Sequence, residues 1–192
     1  MLTSLYHRTM ALADHRHALW ALALVAFLES SVFPIPPDLL MIPMILARPS
    51  RAWLIALVAL VASVLGGLLG YAIGAFFYDS IGAPILEAMG KAEAMEAFNT
   101  RFNDFGFWAV LTAGVTPFPY KVITIMSGWT GMPLGTFIAT SLLARALRFF
   151  LVAALLWKFG APVRDFIERR LGLVLTVFMA LLIGGFFLVR YL

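Results

Sequence analysis

The chain has 192 residues, of which 62% are hydrophobic and only 12% charged, with a mean hydropathy of +0.96. A soluble domain of this length needs far more charge to cover its surface, so the composition specifies an integral membrane protein. Cysteine is absent, which excludes a disulfide framework, a thiolate metal site and a cysteine nucleophile. The net charge of +4 is small, and its basic residues lie between apolar segments; this is a topology signal rather than a nucleic-acid-binding patch.

In chain order, Arg8, His15, Arg16 and His17 precede an apolar run, Ala18 to Phe27, in the manner of a signal peptide. No small-residue cleavage site follows, and the run continues into Glu29, so the segment is expected to be retained. His7, His15 and His17 beside Asp14 admit a metal site, but a solvated interfacial turn accounts for them more simply. Residues 18–47 are long enough to cross a bilayer but are cut by Pro34-Ile35-Pro36-Pro37-Asp38. Residues 53–77 form a clean span without charge. The connector 79–104 carries Asp79, Glu87, Glu93, Glu96 and Asp104 against Lys91 and Arg101, which suits the outer face. Leu86, Met89, Met95, Phe98 and Phe102 recur there at helical spacing, as in an amphipathic surface helix. Residues 105–133 repeat the first pattern, cut by Pro117-Phe118-Pro119-Tyr120-Lys121. A second span, 134–157, carries Arg145 and Arg148, and a third, 171–190, follows a basic connector with Lys158, Arg164, Arg169 and Arg170.

Proline removes a backbone donor and pushes its predecessor out of the helical region. Each proline-cut region is therefore expected to be a re-entrant hairpin of two half-length helices; a single kinked spanning helix is the alternative. Loop charges favour the hairpins. With Arg8, Arg16, Arg48 and Arg51 all inside and the acidic connector outside, the first region must enter and return on one face. Trp20, Trp53, Trp108 and Trp157 then fall near the interfaces. The order becomes hairpin plus span from one side, then hairpin plus span from the other: an all-α inverted repeat of residues about 29–77 and 112–160, with an extra C-terminal span. Gly66, Gly67, Gly70 and Gly74 read as a close helix-packing face.

Five ionisable residues fall at membrane depth: Glu29, Asp38, Lys121, Arg145 and Arg148. Each costs roughly 2.5–3.5 kcal/mol at a helix centre, so they are expected to face a cavity and pair. Internal ion pairs that lock hairpins to spans are one reading. Three cations against two carboxylates leave a positive surplus, however, and a lipid phosphate would answer it, bound by the arginine fork, the lysine point charge and helix N-termini. Glu29 and Asp38 are then candidates for proton coupling, and Lys121, Arg145 and Arg148 for substrate binding. Ser30, Ser31 and Thr116 lie nearby, but no histidine reaches that depth, so a hydrolase is not expected, nor any metal or cofactor.

Glu29-x4-Pro34-x-Pro36-Pro37-Asp38, then Gly114-x2-Pro117-x-Pro119-x-Lys121, Gly128, Gly131 and Arg145-x2-Arg148, together resemble the DedA family of bacterial inner-membrane proteins, also called VTT or SNARE-associated. Lys121 and the Leu147-Arg148-Phe149-Phe150 run are most similar to its YqaA-like branch. The match spans roughly Glu29 to Gly160. The resemblance implies a multi-pass lipid transporter, flippase or scramblase, with two opposed hairpins. Its relatives are linked to undecaprenyl phosphate or phospholipid movement, some with a proton gradient. It implies an essential acidic pair at Glu29 and Asp38 and a basic pair at Lys121 and Arg145 or Arg148. Lys121 departs from the arginine of most members, which leaves the head group open; so is a homodimer. The rival reading is a non-transporting membrane scaffold whose buried charges are structural.

Overall fold

A computed structural model describes residues 17–31, 36–88, 90, 92–116 and 119–169. The described residues form helices joined by turns and short irregular connections. Helix α1 (Ala18–Ser31) is followed by α2 (Asp38–Ala47), a single 3-10 turn (Pro49–Arg51) and the long α3 (Ala52–Phe77). A π-helical turn (Tyr78–Gly82) leads into the short α4 (Ala83–Ala88). Then come α5 (Ala92–Val115), α6 (Tyr120–Trp129) and α7 (Leu134–Arg169).

Local chemistry accounts for the boundaries. Helix α1 is built from alanine and leucine, strong helix formers, and stops ahead of the proline cluster. Pro37 caps α2, and Asp38 stands in its first turn, where the helix dipole favours an acid. Pro119 caps α6 in an extended conformation, ψ 97°, out of which the helix starts. The prolines thus separate α1 from α2 and α5 from α6; Pro34 and Pro117 themselves lie outside the described residues. At 10 residues each, α2 and α6 are about 15 Å long, half of the roughly 30 Å of hydrocarbon in a bilayer.

Among the described residues, two helices are long and apolar enough to cross a membrane, within Pro49–Ala88 and Leu134–Gly160. They contain the expected spans 53–77 and 134–157, with two differences at the ends. Helix α7 runs on to Arg169 through a non-helical Phe159 (φ −117°, ψ 19°). Pro162 explains the irregularity, because its ring displaces the carbonyl of Lys158 four residues earlier. The boundary expected at residues 104/105 falls inside the continuous α5. The part of the acidic connector from Ala92 onward and the first arm of the second broken region are one helix. The C-terminal span expected at 171–190 lies outside the described residues, as do Arg8, Arg16, His7 and His15.

Helices α3 and α7 pack on each other and carry the rest. Helix α3 takes α1 and α6, while α7 takes α2 and α5. Each broken region therefore straddles both long helices, and the arms are exchanged between them. The glycine face of α3 makes this possible on its side. A Cβ on Gly66 would lie 2.1 Å from the Phe27 carbonyl oxygen of α1, and one on Gly74 would lie 1.9 Å from the Ile125 carbonyl oxygen of α6. Backbones in such contact exclude any side chain, the small-residue packing typical of helices in lipid.

Two apolar clusters form. One joins Leu22, Met41, Ile45, Ile55, Ala59 and Phe149, among others, from α1, α2, α3 and α7. The other joins Val110, Ala113, Tyr120, Met132 and Phe137. Along α3 and α7 a band of polar residues separates them, with Ser63 on one helix and Ser141 and Arg145 on the other. Ser63 stands eleven residues past Ala52, and Arg145 eleven past Leu134. Each is about 16 Å along its helix. On helices that span, that is mid-depth.

A buried arginine pair between two helix breaks

The centre of the polar band is Arg145. Its residue is wholly buried, and its guanidinium carbon lies 4.6 Å from the Tyr120 ring centroid and 4.7 Å from that of Phe149. The cation is thus enclosed by two aromatic rings, which attract it electrostatically. At its edge, Nη2 donates to Glu29 Oε2 at 2.6 Å, and Nε donates to Ser63 Oγ at 2.6 Å. Ser30 Oγ donates to Glu29 Oε2 at 3.0 Å and lies 2.7 Å from Ser63 Oγ. Each hydroxyl has one proton, and that of Ser30 is committed to the carboxylate, so Ser63 must be the donor between them. The result is a closed ring: Arg145 to Ser63, Ser63 to Ser30, Ser30 to Glu29, and Arg145 again to Glu29. A charge taken out of water is tolerable only when paired and hydrogen-bonded in this way.

One turn along α7, Arg148 makes a second and more open pair. Its Nη2 donates to Asp38 Oδ2 at the start of α2, and its Nη1 donates to the Thr116 carbonyl at 2.7 Å, just past the end of α5. The difference lies in the cations: the Arg148 side chain retains 15% of its exposure against 1% for Arg145, while Asp38 and Glu29 are alike at 12% and 13%. Arg145 is enclosed; Arg148 is the one a ligand can reach.

Four of the five ionisable residues expected at depth are thus joined in two pairs, Glu29 with Arg145 and Asp38 with Arg148. Lys121 occupies the first turn of α6, half-buried, next to Tyr120. Thr124, one turn further on, donates to the Ser30 carbonyl at 3.0 Å and so connects the two broken regions directly.

Ser63 and Tyr120 carry the site as much as the charged groups do, and no role for them follows from the sequence. Ser63 is the only serine in α3 and sits in an unbroken apolar run, where a single hydroxyl leaves no trace in hydropathy. Tyr120 is wholly buried, and its hydroxyl donates to Ser141 Oγ at 2.5 Å. Its place directly after Pro119 is the one signal that could have drawn notice.

At the far end of α6, Asn103 Nδ2 donates to the Thr130 carbonyl at 2.8 Å, and Thr130 Oγ1 donates back to Asn103 Oδ1 at 3.2 Å. Tyr71 on α3 closes the same turn through the Met132 carbonyl at 2.6 Å. These bonds fix the end of α6 away from the second break. They also give α5 a reason to continue from the connector into the bundle.

The sequence matches the VTT domain over residues 35–158, the stretch that holds Asp38, the second break and both arginines. It is 38% identical over 169 residues to an uncharacterized protein of Haemophilus influenzae, covering 86% of this chain and 88% of that one. A homologous protein of Histophilus somni is 39% identical over the same coverage. Inner membrane protein YqaA of Escherichia coli is 25% identical over 137 residues, 71% of this chain and 89% of that protein. No solved structure matches significantly.

Proposed function

This chain belongs to the VTT-domain (DedA) family of membrane proteins, and on that footing we propose that it moves a phosphate-bearing lipid, such as undecaprenyl phosphate or a phospholipid, between the leaflets of a bacterial inner membrane. The observation that carries the reading is the pair of arginine–carboxylate contacts well inside the two long helices, between two broken ones. Stable burial alone does not call for such an arrangement, since apolar residues in place of buried ion pairs are often neutral or stabilising.

The proposed architecture is an inverted repeat in which 18–47 and 105–133 are re-entrant hairpins opening to opposite faces. The exchanged packing supports it: α1 on α3 corresponds to α5 on α7, and α6 on α3 corresponds to α2 on α7. So does the equal placing of Ser63 and Arg145 along the two long helices. Transporters of this construction hold substrate at the repeat interface, near the bilayer midplane.

In this scheme Arg148 is the principal phosphate ligand. Its two terminal nitrogens already donate to two oxygens, one of Asp38 and one of Thr116, and the same fork suits a phosphate. Lys121 adds a point charge from the second break. Glu29 and Asp38 exchange arginine for a proton as the lipid passes, which couples the movement to the proton gradient. Arg145, enclosed by rings and serines, holds the frame. Lipid crosses unchanged, so no catalytic residue, metal or cofactor enters.

The complete burial of Arg145 also favours a second reading, a scaffold in which the pairs are purely structural. Reconstitution separates the two. Purified protein in proteoliposomes should expose labelled lipid of the inner leaflet to an external quencher. Lys121→Ala and Arg148→Ala should abolish both this exposure and a phosphate lipid co-purifying in native mass spectrometry. Glu29→Gln and Asp38→Asn should remove its pH dependence. Lipid accessibility equal to that of protein-free vesicles leaves the scaffold standing.

A further inference from the structure

We propose that Arg145 and Arg148 form a crossed clasp that obliges the two helix breaks to move together, and that Tyr120 is the positioning residue that sets it. The crossing lies in which arms each cation touches. Arg145 holds Glu29, from the arm before the first break, and stacks on Tyr120, from the arm after the second. Arg148 holds Asp38, from the arm after the first break, and the Thr116 carbonyl, at the end of the arm before the second. Each guanidinium therefore bridges both breaks, and between them the two cations engage all four arms.

The backbone between the cations makes the clasp stiff. Arg145 and Arg148 lie one turn apart on α7, whose one non-helical residue, Phe159, is well beyond them. Displacement of either break must pull a guanidinium off its partner in the other or carry that partner along. Tyr120 decides which. Its hydroxyl is tethered to Ser141, one turn before Arg145 on the same face of α7, while its ring lies against the guanidinium. A ring fixed at both ends presents Arg145 to Glu29 and Ser63 in one orientation, and it does so from the first residue of α6. Movement at the second break thereby reaches Glu29 at the first.

Only the consequence for transport rests on the reading above; the clasp itself is a property of the bundle and can be measured without lipid movement. Hydrogen–deuterium exchange on the full chain in nanodiscs, read by mass spectrometry, compares wild type with Tyr120→Leu, Tyr120→Phe and Ser141→Ala. Tyr120→Leu removes the ring at the second break. It should raise exchange at least tenfold for the amides of residues 27–31 and 38–41 at the first. Tyr120→Phe keeps the ring but gives up the tether to Ser141, and should raise exchange at those amides by about threefold. Ser141→Ala gives up the same tether and should match Tyr120→Phe; the two also serve if Tyr120→Leu does not yield folded protein. On an Arg145→Met background, Tyr120→Leu should add nothing further at residues 27–31. A purely local packing role predicts a rise confined to residues near 119–124 and 141–145, and that result overturns the proposal. Coupled exchange in a protein that moves no lipid would refute transport and leave the clasp intact.

Discussion

Glu29→Gln tests the enclosed ion pair most directly. The substituted amide can still accept a hydrogen bond from Arg145 Nη2 and from Ser30, so the shape of the ring survives while its negative charge is lost. Arg145, 1% exposed, is then a cation in a protein interior with two rings and two hydroxyls for company. Breaking a buried pair by removing one partner costs about 3–5 kcal/mol. The retained neutral hydrogen bond gives back about 1 kcal/mol, leaving a loss of roughly 2–4 kcal/mol. Asp38→Asn should cost less, because Arg148 keeps the Thr116 carbonyl and some access to water. The assay is unfolding of the micelle-held protein by titration with a denaturing detergent, followed by fluorescence of its five tryptophans. The double variant Glu29→Gln/Arg145→Gln removes both charges and should recover at least half of the loss; with Arg145→Gln alone it completes a double-mutant cycle. A Glu29→Gln protein within 0.5 kcal/mol of wild type, on the order of the scatter between independent sites, would refute the reasoning. So would a double variant weaker than the single.

Two further expectations concern the frame. Gly74→Ala places a methyl against the Ile125 carbonyl and must push α3 and α6 apart, for a cost of about 1–3 kcal/mol or more; Gly135→Ala, which meets nothing within 4 Å, should be neutral or slightly stabilising in the same titration. Ser63→Ala opens the hydrogen-bonded ring and strands Arg145 Nε, at about 1–3 kcal/mol, whereas Ser80→Ala, an exposed hydroxyl bonded only within its own turn, should change stability by less than a third of that.

Much of the frame is legible in the sequence because each part has a local cause. A run of 25 uncharged residues makes a span, and α3 follows it within a residue of the expected start. Proline pairs end and restart helices where they stand. Glycine at three- and four-residue spacing marks a packing face, and Gly66 and Gly74 occupy one. The pairing of charges is different in kind. Glu29 meets Arg145 across 116 positions and Asp38 meets Arg148 across 110, and nothing along the chain decides which carboxylate takes which arginine. Ser63 escapes because a lone hydroxyl costs too little in an apolar run to signal anything. The continuity of α5 escapes for the opposite reason. Glu93, Glu96, Arg101 and Asp104 change the hydropathy at its start, but alanine, glutamate and methionine propagate a helix without regard to the medium.

The exchanged packing bears finally on how the protein is made. Glu29 and Asp38 leave the ribosome long before the arginines that neutralise them, and the helix bearing those arginines is the last of the described bundle to be synthesised. At about 5–20 residues per second, a gap of 116 residues lasts roughly 6–23 s. Over that interval the first broken region has no partner for its acids. It has to wait at the membrane surface, or beside the insertion machinery, until α7 arrives. A nascent chain cut after α3 should therefore expose residues 18–47 to protease, and extension through Arg148 should withdraw them.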